Sequence, residues 1–174
     1  RKTVHITPQD VEESKKFLNL GIYFAQVAGF ETATKEGRKF TTDDDEFIIR
    51  YYDVIRDPVQ GRAMTTPARI GHNSGIIDAS QKRFAPMTVP ARVAIEVHEF
   101  SHKYRNPKMD LAIENEIGAD INGLYMYLGL GFSKVDAIYV YANVFLKAQT
   151  PGNIARMRKI MYYIKRFENQ EFAK

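Results

Sequence analysis

Apolar positions recur at helical spacing from Val11 to Ala28, with Phe17, Leu18, Leu20, Ile22, Phe24 and Ala25 between them. Thr7-Pro8 ahead of this run supplies a cap and a first helical position, and Gly29 is its expected end. Glu31 to Asp45 is polar and holds the acidic run "TTDDDE", which predicts a solvated loop. "EFIIRYYDVI" (Glu46 to Ile55) is rich in β-branched and aromatic residues and predicts a strand. Gly61 to Pro67 is a turn-rich connection, and "RIGHNSGIIDAS" predicts a second strand or hairpin centred on Ile76 and Ile77.

The pattern changes after Pro86. Val89 to Arg105 has a Pro near its start and no Gly, and Asn106-Pro107 stops it, so it predicts a helix. Met109 to Leu130 predicts a second helix, closed by Gly129 and Gly131. Ser133 caps a third, running to about Gln149, and Thr150-Pro151 opens a fourth, running to about Phe167. The fold class expected is therefore α+β: one domain over residues 1–174, with a helix and a small mixed sheet in 1–88 and a helical part in 89–174.

Composition narrows the chemistry. The 174 residues are 44% hydrophobic and 26% charged, enough apolar material for a core without a staple. There is no cysteine, so disulfides and thiolate metal sites are excluded, and any metal must use His and carboxylate ligands. The net charge of +4 implies a mildly basic soluble protein; its location is left open, the cytoplasm being favoured over other compartments. Nucleic-acid binding would need the bases gathered on one face, and only Arg156 to Arg166 is locally basic, interleaved with apolar residues as in a half-buried helix. No nucleic acid is expected as a partner. No apolar run reaches the roughly 18 residues of a membrane span, so none is expected. The chain opens on Arg1 without an initiator Met, as expected of a processed product or a piece of something longer.

Candidate chemistry sits in "VHEFSHKY" (Val97 to Tyr104). On a helix, His98 and His102 lie one turn apart on one face and can offer two imidazoles to one metal. Glu99 lies about 100° round, close enough to take a proton from a water that the metal activates. Ala91, Ala94 and Ile95 share the histidine face, Val93, Val97, Phe100 and Tyr104 the opposite one, and Arg92, Glu96 and Lys103 form a narrow polar strip. The competing reading, two hydrogen-bonded core histidines, is weakened by the glutamate beside them.

A catalytic zinc takes three protein ligands and an open position. The next helix holds "ENEIGAD", in which Glu116 and Asp120 fall one turn apart within an apolar stripe that includes Ile113, Ile117 and Leu124. Buried carboxylates need a cationic partner, and that stripe carries no Lys or Arg. Zinc held by His98 and His102 would meet the need, with Glu116 as third ligand. Asp120 would accept a hydrogen bond from the far nitrogen of a liganding histidine, His98 by preference. The alternative is that both acids pair with basic groups elsewhere in the core. Glu114 falls on a more exposed side and reads as a surface charge.

H-E-F-S-H followed by E-I-G-A-D resembles the gluzincins, zinc metallopeptidases with H-E-x-x-H on one helix and E-x-x-[AS]-[DN] on the next. "GLYMYLGLGFSKVDA" is similar to the helix and Gly-aromatic turn of prenyl-endopeptidase-type members. The short gap between His102 and Glu116 resembles the small regulatory gluzincins of mobile elements. The likeness spans roughly Val89 to Ala137. It implies a zincin-like fold, zinc ligands His98, His102 and Glu116, Glu99 as general base, and Asp120 supporting a ligand.

Peptide hydrolysis also wants a donor to the oxyanion. His72, in the Gly-bounded turn "IGHNSG", is the candidate; Tyr104 and Tyr125 fall on the wrong sides of their helices. In zincins an edge strand pairs with extended substrate, and Ser74 to Ser80 is placed in sequence for that role. The expected function is zinc-dependent endopeptidase action on a peptide or protein. The alternative is a non-catalytic zincin-fold module of a larger complex, its zinc structural. A basic nucleic-acid-binding protein is the third option.

Overall fold

The structure, a computed structural model, describes residues 14–71, 74–102, 112–145 and 149–166. The chain is mixed α/β and divides into two compact units, one of residues 15–100 and one from residue 101 onward together with Ser14.

The first unit opens with α1 (Lys15–Val27), whose Phe17, Leu18, Leu20, Phe24 and Ala25 are buried. The helix start expected at Thr7-Pro8 lies outside the described residues. Four strands follow: β1 (Arg38–Thr41), β2 (Ile48–Tyr52), β3 (Ala68–Ile70) and β4 (Ile77–Ser80). They form one sheet in the order β1-β2-β4-β3. β1 and β3 run antiparallel to their neighbours, whereas β2 and β4 are parallel, with Ile49 opposite Ile77. A short helix α2 (Gln81–Phe84) leads to α3 (Val89–Ser101).

Aromatic packing joins these elements. Phe24 of α1 meets the Tyr51 ring edge-on at 4.9 Å between centroids, and Phe17 stacks on Phe100 of α3 at 4.1 Å. Ile49, Tyr51, Ile77 and Ala79 on one face of the sheet are essentially inaccessible. On the other face Asp78 takes hydrogen bonds from Arg50 and Arg69 on the flanking strands, at 2.7 and 3.2 Å. Cross-strand ion pairs on a half-covered face are an ordinary way to close it.

Two expectations are corrected. Residues 31–45 are not all loop, because Arg38 to Thr41 pairs with β2. Its side chains are almost all exposed, so no alternation marks it; the backbone ladder and the turn closed by Thr42 N–H to Phe47 O make the strand. The segment Ser74 to Ser80 is not an edge. Its strand, β4, lies inside the sheet between β2 and β3 with every residue buried. The unbroken "IDAS" burial is that of a strand covered on both sides. The edges are β1 and β3.

The second unit contains α4 (Ala112–Gly129), α5 (Lys134–Phe145) and α6 (Pro151–Arg166). Both expected caps form. Ser133 Oγ accepts from Asp136 N–H at 3.0 Å, and Thr150 Oγ1 accepts from Asn153 N–H at 3.1 Å. α6 packs against both α4 and α5. Ala119, Ile121, Leu124, Met126, Val140, Ile160 and Ile164 supply the core. No described helix is long and apolar enough to cross a membrane.

Candidate functional site

Helix α3 starts where Thr88 caps it: its Oγ1 accepts from Ala91 N–H at 3.3 Å, and Pro90 sits in the first turn, where no hydrogen bond is lost. Val93, Ala94, Val97 and Phe100 are buried in the unit's core. That orientation leaves His98 and Glu99 half-buried on the adjoining side, and His102 follows in the final turn with its side chain 17% exposed. The donor atoms of His98, Glu99 and His102 all lie within 4.8 Å of one another, so these three could hold a metal ion. Imidazole nitrogens and a carboxylate oxygen are the donors that first-row divalent metals accept.

Two residues of this helix's polar strip, Arg92 and Glu96, are not solvated. Arg92 is 7% and Glu96 1% exposed. α1 covers them: Arg92 donates to Ala25 O at 2.7 Å and also to Ala85 O, and a methyl built on Gly21 would lie 3.8 Å from Glu96 Cβ. Neither carboxylate oxygen of Glu96 has a hydrogen-bond partner among the described residues. Burial, with the neighbouring Glu99 charge, pushes the Glu96 carboxyl well above the usual range.

Within the second unit, Glu116 Oε1 stands 3.5 Å from His102 Nε2. Its other oxygen, Oε2, faces Arg156 Nη2 at 3.3 Å. Asp120, one turn on and fully buried, receives Arg156 Nε at 2.6 Å and Nη2 at 2.8 Å. Burial draws the Arg156 guanidinium down, but the Asp120 hydrogen bonds and the charges of Asp120 and Glu116 outweigh it and hold it above its ordinary value.

The alternative in which both acids pair with a basic group elsewhere in the core therefore has its partner in Arg156. No base lies on their own stripe, yet α6 brings one to it. In the sequence Arg156 stands out only as part of a basic stretch. Its signal was the four-residue spacing Arg156, Ile160, Ile164, which puts it on the buried face of α6. For Asp120, expected to steady His98, the structure gives Arg156 as partner of both oxygens; a carboxylate's further lone pairs are what a histidine N–H could use.

Tyr125 packs edge-on to Tyr163 at 6.0 Å, as a packing residue would. His72, Lys103 and Tyr104 lie outside the described residues, as does the side chain of Glu114. No family model matches the chain, and no curated protein or solved structure matches it either.

Proposed function

We propose that the chain is a zinc-dependent endopeptidase of zincin-like architecture, with His98, His102 and Glu116 as ligands and Glu99 as general base. The observation that carries the reading is the grouping of His98, Glu99 and His102 donor atoms within 4.8 Å. The separation of His102 Nε2 and Glu116 Oε1 supports it further. At 3.5 Å it is long for a hydrogen bond. Two donors bound at about 2.05 Å to one tetrahedral zinc stand roughly 3.4 Å apart.

When bound, zinc would supply the Lewis acidity that polarises a carbonyl and acidifies a water. The chain's own residues would do the rest. Glu99 takes the proton from the attacking water and passes it to the leaving amine. His72 is the proposed donor to the developing oxyanion. The substrate class proposed is a peptide or protein.

One observation favours a second reading. Arg156 holds Asp120 and Glu116 in fixed places, as a non-catalytic module of a larger complex with a structural zinc would want. The two readings separate by experiment. Elemental analysis should find one zinc per chain, lost in His98→Ala. A peptide library should then be cleaved by the native protein and left intact by Glu99→Gln. Stoichiometric zinc without turnover favours the module, and no zinc at all removes both zinc readings.

A further inference from the structure

Arg156 divides its guanidinium between two carboxylates of one helix. Nε and Nη2 hold Asp120 at 2.6 and 2.8 Å, and the same Nη2 reaches Glu116 Oε2 at 3.3 Å. An Nη carries two hydrogens, so one can serve each acid. Asp120 is fully buried and Arg156 only 17% exposed, which makes that pair the fixed end of the chain of contacts. Glu116 is 36% exposed and has a long side chain, so holding it in one rotamer carries an entropic cost that each added contact offsets. With Oε2 held, its Oε1 is turned to His102 Nε2 at 3.5 Å.

The geometry points to Arg156 as a positioning residue for Glu116, anchored on Asp120, which pins one carboxylate oxygen so that the other is presented on the His102 side as a metal ligand. This rests on the zinc reading above. Simple neutralisation of Asp120 would need no reach to Glu116. A lysine would keep the charge but lose the fixed fork that spans both acids.

The test is zinc affinity of the full chain, by competition with a chromogenic chelator, in Arg156→Lys, Glu116→Ala and their combination. Groups that orient metal ligands typically change metal affinity about 10- to 100-fold. Arg156→Lys should therefore bind zinc at least about tenfold more weakly, and should cost less than about twofold once Glu116 is Ala. Asp120→Asn, which loosens the anchor while keeping its shape, should give a smaller loss that also vanishes in the Glu116→Ala background. It decides the matter if Arg156→Lys fails to melt cooperatively. Unchanged affinity in the single variants, or a loss that persists without Glu116, overturns the positioning role while leaving the zinc site standing. Zinc binding that survives His102→Ala overturns the zinc reading itself, and this inference with it.

Discussion

Arg156 on α6 grips Asp120 on α4 through two hydrogen bonds, of 2.6 and 2.8 Å, around a carboxylate with no exposed surface. Removing one partner of such a pair leaves a buried charge uncompensated, at a cost of about 3–5 kcal/mol. Arg156→Met should lower the melting temperature by about 10 °C. Arg156→Met with Asp120→Leu should recover most of that, because no charge is left stranded. Circular-dichroism melts of the three proteins check this; a single variant within 2 °C of native would show that the grip contributes little.

Glu96 gives a pH signature. Its carboxyl is raised by burial first and by Glu99 second. An acid that holds its proton more tightly when folded contributes stability that is complete below its unfolded value, about 4.3, and is lost as pH rises toward the folded one. Stability should therefore decline on going from pH 4.5 upward, through this group, and Glu96→Gln should flatten the decline. At pH 7.5 the variant should melt at least about 2 °C higher, on the order of 1 kcal/mol. Denaturant titrations across pH 4.5 to 8 would sink the idea if both proteins kept parallel profiles.

The two caps of the second unit are independent. Ser133→Ala and Thr150→Ala each remove one acceptor from a helix start, at about 1 kcal/mol apiece. They lie on different helices, so their effects should add within about 0.5 kcal/mol. Urea midpoints of the single and double variants measure both numbers.

Under the hydrolase reading, Glu99→Gln should retain zinc with affinity within about threefold of native and lose at least about 100-fold in kcat. His72→Ala should lose about 100-fold in kcat with zinc unchanged. Chelation should abolish cleavage by the native protein, and added zinc should restore it. Peptide turnover and metal content, measured together, check all three.

Much of this was readable from spacing. The helices of the second unit, their caps at Ser133 and Thr150, and the clustering of His98, Glu99 and His102 follow from local periodicity, which depends only on neighbours within a turn or two. What escaped depends on distant partners. Arg38 to Thr41 is a strand because β2 lies beside it, and its exposed side chains leave no trace of that. Arg92 and Glu96 form a polar strip in the sequence, and what buries them shows only when α1 is laid over them. The cation for Asp120 comes from 36 residues away, so a search of one helix stripe could not find it.

The sheet ends on one side in Ala68–Ile70, a strand of three residues. At about 3.3 Å per residue it offers roughly 10 Å of backbone. An extended guest aligned there would exchange only a few peptide hydrogen bonds before running past the edge. Its length would hardly matter to its affinity. Discrimination among guests would fall to one or two side chains on either side of the paired stretch, so a panel of short peptides varied one position at a time would expose it where a panel of longer ones would not.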